Sequence, residues 1–120
     1  MTKATFFNDI KDSYVQMMEC LPFEVKDELF MDEKSDIDEV FHHYLHKLNA
    51  SIILLKNAKS AEDELTVQAA LVYIRVYSMR LSGFFEDIKD DTDILLKVSV
   101  WLDDVPEYYQ IPECYNYPKE

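Results

Sequence analysis

Glycine is nearly missing from this chain, with Gly83 the single example in 120 residues. Turn-rich sheet proteins need glycine wherever the backbone takes a positive φ, so this scarcity argues for helices joined by short connections. It also excludes a glycine-rich phosphate-binding loop. Basic residues are scarce too: 12 Lys and Arg face 24 Asp and Glu, for a net charge of −12. Phosphate backbones are gripped by clustered cations, so direct nucleic-acid binding is excluded. The same repulsion disfavours anionic membrane surfaces. Cysteine is limited to Cys20 and Cys114, which lie far apart and match no metal or redox spacing. They read as reduced thiols of a cytoplasmic protein. No apolar run reaches membrane-spanning length, and the opening MTKATFFNDIKDS resembles neither a signal nor a transit peptide. No serine stands in a nucleophile-elbow context. The chain therefore reads as non-enzymatic, with no catalytic residue and no cofactor.

What is present is helical pattern. Apolar residues make up 48% of the chain, enough for one packed domain of this length. The organising stretch runs from about 61 to 89. At 100° per residue, Leu65, Ala69, Val72, Val76, Met79 and Gly83 form one stripe. Val67, Ala70, Ile74, Leu81, Phe85 and Ile88 form another on roughly the opposite side. The polar strip left over is narrow: Glu64, Gln68, Arg75, Ser78, Ser82 and Glu86. Such a helix is expected to be mostly buried, with other helices wrapped around it.

The remaining elements follow in order. Residues 3–21 show a first amphipathic helix through Ile10, Tyr14 and Leu21, stopped by Pro22. A short second helix is expected over 22–31. A third, over 36–58, has the cleanest stripe: Ile37, Val40, Phe41, Tyr44, Leu45, Leu48, Ile52 and Leu55. Ser35 with Asp38 resembles its N-cap pair. The short turn at 57–60 makes the long helix return antiparallel. A last helix is expected over 91–104, opening at Asp91-Thr92 and burying Ile94, Leu95, Val98, Trp101 and Leu102. The expected fold is an all-α, single-domain antiparallel bundle of four to five helices over 1–105. Residues 106–120, with three prolines and four tyrosines, form an extended tail. Its tyrosines are expected to lie back over the bundle, since aromatic area left in water is wasted burial.

Three groups invite a chemical reading. His42, His43 and His46 share one helical turn, and the i,i+4 pair has zinc-ligand spacing. Glu39 and His42 also match the Glu-x-x-His step of di-iron bundles, but no second such step exists. All three imidazoles fall off the apolar stripe, as a solvated face would place them, so no metal ligand is assigned. Arg80 falls inside the apolar arc, where its stem can pack while its head reaches water, or where Asp87 can pair with it. Gly83, with Ser78 and Ser82, suits a close helix crossing.

The third group is the largest. Residues 24–39 hold eight acids against Lys26 and Lys34, and residues 86–93 hold five against Lys89. An antiparallel third and fourth helix brings both runs to one pole, thirteen carboxylates against three lysines, a balance of −10. With the long helix ending near 89, Glu86, Asp87 and Asp90 would sit at a C-terminus, where negative charge is unfavourable. The expected function is therefore a non-enzymatic acidic protein that docks a basic partner surface, as inhibitors, immunity proteins and nucleic-acid mimics do. Its partner-binding residues are Asp32, Glu33, Asp36, Glu39, Glu86, Asp87, Asp90, Asp91 and Asp93. The alternatives are an adaptor bundle acting through a homodimer or partner helix, using a face of the first or last helix, and a metal-binding bundle built on the histidine turn.

Overall fold

The computed structural model describes residues 6–19, 29–32, 34–97 and 105–118. Among these residues the fold is all-helical and contains no strand: α1 spans Phe6–Glu19, α2 Ile37–Ser60 and α3 Glu64–Lys97, with a 3₁₀ turn at Glu113–Tyr115. None of the helices is long and apolar enough to cross a membrane.

Helices α2 and α3 form an antiparallel hairpin, and the sequence shows why they meet as they do. On α2, Ile37, Phe41, Tyr44, Leu48, Ser51, Leu55 and Ala58 step by four and three, and all are buried or half-buried. On α3, Val67, Ala70, Ile74, Tyr77, Leu81, Phe84, Ile88, Asp91 and Leu95 step by three and four, and they too are buried or half-buried. Alternating three- and four-residue steps keep a seam facing its partner along the whole length. Ring contacts fix the register, with Phe41 at 5.5 Å from Phe84 and Tyr44 at 6.3 Å from Tyr77.

The turn of the hairpin is built without glycine. The Asp63 N–H donates to the Ala58 carbonyl at 2.9 Å, and the Glu62 N–H to the Lys59 carbonyl at 3.1 Å. These two bonds make a Schellman closure, whose penultimate residue must be left-handed. Glu62 takes that role with φ 55°. Asp63 then opens α3, its carboxylate accepting from the Thr66 N–H at 3.1 Å and the Thr66 hydroxyl at 2.6 Å.

Helix α1 covers one end of the hairpin only. There Phe7, Met31, Ile37, Phe41 and Leu81 form the buried core, ringed by Ile10, Tyr14, Tyr44, Leu48, Phe84 and Ile88. The N-termini of α1 and α2 cap each other. The Asp38 carboxylate accepts from the N–H groups of Phe7 and Asn8 at 3.1 and 2.9 Å, while the Asn8 side-chain oxygen accepts from the Ile37 N–H at 3.0 Å. Orphan donors of two helices are thereby satisfied by two side chains. Further along α1, the Tyr14 hydroxyl meets the Thr92 hydroxyl at 2.6 Å, and the Lys11 ammonium donates to the Ser35 carbonyl at 2.7 Å.

Several expectations are corrected. Three α-helices stand among the described residues, where a bundle of four to five was expected. Residues 29–31 are not helical, and 22–28 lie outside the described residues. The break expected at 90–91 does not exist, and α3 runs straight through to Lys97. Asp91-Thr92 looks like a cap in sequence, but the Thr92 hydroxyl folds back on the Ile88 carbonyl at 2.7 Å and Asp91 serves another segment. With no glycine or proline there, the backbone ladder continues. Val98, Trp101 and Leu102 lie outside the described residues. The N-cap of α2 is Asp36, whose carboxylate accepts from the Glu39 N–H at 3.1 Å, and not Ser35.

The long helix is not mostly buried. Among the described residues α2 alone runs along its first half, and Leu65 and Met79 stay 78% and 67% exposed. The tail tyrosines are not folded back either, since Tyr108, Tyr109, Tyr115 and Tyr117 are all exposed.

Candidate protein-docking site

The levels of the hairpin settle which acids are neighbours. Phe41 of α2 meets Phe84 of α3, so Asp36, Asp38 and Glu39 around the start of α2 share one end of the molecule with the acids at 86–93 of α3. This end is also where α1 and residues 29–32 close over the core. Lengthening α3 to Lys97 removes one expectation: Glu86, Asp87 and Asp90 lie inside the helix, not at its C-terminus, and the dipole does not oppose them.

Individual acids then separate by what they touch. Asp91 is fully buried, and its carboxylate accepts from the N–H groups of Phe30 at 2.6 Å and Met31 at 3.1 Å. It anchors the 29–32 segment to α3 and is withdrawn from the surface, so it presents nothing to a partner. Asp38 is buried in the capping exchange with α1. Asp36 is exposed but occupied, accepting from the Glu39 N–H and from the Asn8 side chain at 2.8 Å. Asp32 closes a small turn, accepting from the Lys34 N–H and the Ser35 hydroxyl. The Ser35 bond first, and then the Lys34 N–H, lower its pKa from the usual 3.8. Glu39 and Glu86 are exposed, and Asp87, Asp90 and Asp93 half-exposed. Glu33 lies outside the described residues.

Among the described residues, Lys34 and Lys11 act on Asp32, and Lys89 on Asp90 and Asp93. Lys89 reaches Asp90 at 3.4 Å and Asp93 at 3.6 Å. Its hydrogen bond to Asp90, and then the charge of Asp90 and Asp93, push its pKa up. Asp87 moves the other way for a carboxylate. Burial first, then the charges of Asp91, Asp90 and Glu86, raise its pKa above the usual 3.8. The charges acting on Asp87 among the described residues are those of acids.

At Asp87 lies a largely apolar depression of about 200 Å³, lined by Phe7, Phe30, Met31, Ile37, Val40 and Phe84 together with Asp32, Ser35 and Asp87. Phe30 is 61% exposed at its mouth. The expected helix over 22–31 takes in Phe30, and the expected 36–58 stripe takes in Val40, so this pocket is not visible in the helical pattern. The visible signal was Leu29-Phe30-Met31 set directly before Asp32, an apolar step next to an acidic turn.

The other sequence candidates fall elsewhere. His42 is half-buried with its ring edge-on to Phe41, and His43 and His46 are exposed. No group of three or more His, Cys, Asp or Glu among the described residues is arranged to hold a metal ion. Arg80 is exposed, its guanidinium 5.5 Å above the Tyr44 ring, a cation–π contact across the hairpin. Cys114 is exposed and Cys20 lies outside the described residues. Comparison with protein-family models, curated proteins and solved structures returned no match.

Proposed function

We propose that this chain is a non-enzymatic binding protein whose acidic end docks a basic protein surface. The carrying observation is Asp87, which lines an apolar pocket and whose pKa is raised first by burial and then by the charges of Asp91, Asp90 and Glu86. A cation brought beside it relieves that repulsion, and an apolar side chain entering the pocket adds burial. The partner chemistry that fits is an aliphatic or aromatic anchor flanked by Lys or Arg, with Glu39, Glu86, Asp90 and Asp93 steering the approach.

The test is copurification from the source cell at low and high salt, followed by titration with the recovered partner. Replacing Glu39, Glu86 and Asp90 together by Lys is expected to weaken binding about tenfold or more, at a few-fold per exposed charge. The same reversal at Glu62 and Glu64, at the other end of the hairpin, is expected to leave affinity unchanged. Binding insensitive to both salt and the triple reversal overturns the reading.

A further inference from the structure

Helix α3 carries two seams, and the hairpin uses one. The second is Leu65, Ala69, Val72, Val76, Met79 and Gly83, spaced four, three, four, three and four. That is a heptad pattern, the spacing that keeps one helix against another. Leu65, Val72, Val76 and Met79 are exposed, and Ala69 and Gly83 half-exposed, so no other described element occupies the stripe. Gly83 is the most telling member. A glycine inside a helix is unfavourable by about 1 kcal/mol relative to alanine. Here a Cβ at Gly83 meets nothing within 4 Å, so the monomer gives that glycine no packing role.

We infer that the second seam pairs with the same seam of a second copy, antiparallel about a two-fold axis beside Ile74. Three observations select that occupant. The stripe is self-complementary when reversed: Leu65 faces Gly83 of the other copy, Ala69 faces Met79, and Val72 faces Val76. Each large residue meets a small one, and the medium pair meets at the centre, which gives Gly83 its missing neighbour.

Charge gives the second observation. Residues 44–82 hold five cations, Lys47, Lys56, Lys59, Arg75 and Arg80, against Glu62, Asp63 and Glu64. In a chain of charge −12 this arm, at a net +2, is the stretch where two copies repel one another least. A parallel pair would set the two acidic ends side by side. The antiparallel pair holds the two Asp90 residues about 48 Å apart along the axis, roughly six Debye lengths at physiological salt.

Area gives the third. The chain exposes 9755 Å², where a compact monomer of 14.2 kDa exposes roughly 6,800 Å². Residues 105–118 account for part of the difference. A stable interface needs about 1,200–2,000 Å² in total. The inference stands on residues separate from the acidic end and does not depend on the docking reading.

Sedimentation equilibrium of the full chain tests it, with a reversible shift from 14.2 kDa to twice that mass expected as concentration rises. Val72→Glu with Val76→Glu is expected to keep the helical signal and weaken the dimer at least about a hundredfold. Gly83→Leu is expected to raise the melting temperature of the monomer while weakening the dimer, a split that a purely structural glycine cannot produce. Orientation is read in a Cys20→Ser, Cys114→Ser background. Leu65→Cys and Gly83→Cys chains should crosslink when mixed and not alone. A monomer at every concentration, an unchanged dimer in the double Glu variant, or Leu65→Cys linking to itself overturns the proposal. A monomer that instead captures the helix of another protein on this seam overturns it equally.

Discussion

Asp91 offers the sharpest test of how the acidic end is assembled. It is one of five acids between 86 and 93, yet it alone of these is fully buried, with both carboxylate oxygens taken by backbone N–H groups. Replacing it with alanine leaves the Phe30 and Met31 donors without acceptors, and the Met31 bond lies in buried surroundings. A stranded buried donor costs about 1–3 kcal/mol, and charge-assisted bonds lie at the upper end of that range. The two together give about 3–5 kcal/mol, a fifth or more of the roughly 5–15 kcal/mol that holds a domain folded. Asp91→Asn keeps one acceptor and turns an amide donor toward the second N–H, so about 2 kcal/mol is expected. Asp90→Ala, one residue away and half-exposed, should fall within about 0.5 kcal/mol of wild type. Urea unfolding followed by far-ultraviolet circular dichroism measures all three. Equal midpoints for Asp91→Ala and Asp90→Ala would refute the anchoring role, and with it the account of why α3 runs past residue 90 unbroken.

Two further outcomes follow from local geometry. Glu62 holds a left-handed conformation that disfavours any side chain by about 1–2 kcal/mol. Glycine there gives back part of that gain through its freer unfolded chain. Glu62→Gly is therefore expected to stabilise the fold by about 0.5–1 kcal/mol in chemical denaturation, and destabilisation would mean the turn is not the Schellman closure described. Asp87 has a folded pKa above the usual 3.8, so at neutral pH its charge is less favourable folded than unfolded. As pH falls, the folded state takes up the proton first and that penalty fades, disappearing below about 3.8, where the unfolded state is protonated as well. Asp87→Asn should thus stabilise the protein at pH 7 and lose its advantage toward pH 3.5 in parallel melts. Asp32 and Asp63, whose pKa values are lowered, act in the opposite sense: their hydrogen bonds support the fold at neutral pH and fade as acid protonates them.

Helix α2 was legible in the sequence because its stripe, its acidic start and its lysine-bearing end all agree, and the observed Ile37–Ser60 falls close to the expected 36–58. The hairpin followed from the short turn. The false break at Asp91-Thr92 has a specific cause. Aspartate and threonine advertise a helix start when their side chains serve their own backbone, and here one serves residues 30–31 and the other the preceding turn. Nothing local distinguishes those uses. The exchange between Asn8 and Asp38 was invisible for the same reason, being a contact across thirty residues of chain. The two stripes of α3 were read correctly as apolar. Burial of both needs other helices to cover them, and α1, at 14 residues and confined to one end, does not reach the arm.

That shortfall bears on how the two proposed surfaces combine. The acidic end is closed by its own tertiary contacts: the α1 cap, the Asp91 anchor and the phenylalanine cluster. Among the described residues the arm beyond it is a two-helix hairpin with one apolar side uncovered. Sites separated this far, with no shared side chains, are expected to act nearly additively, so partner binding and self-association need no coupling between them. Pairing the arms antiparallel turns one acidic end into two, facing outward from opposite ends of the dimer. Such an assembly gains avidity only against basic surfaces presented at matching separation, and gains nothing against a lone monomeric partner. Affinity for a basic partner that depends on this chain's concentration when the partner is multivalent, and not when it is single, is the behaviour that follows from placing the carboxylates and the unused seam at different ends of one helix.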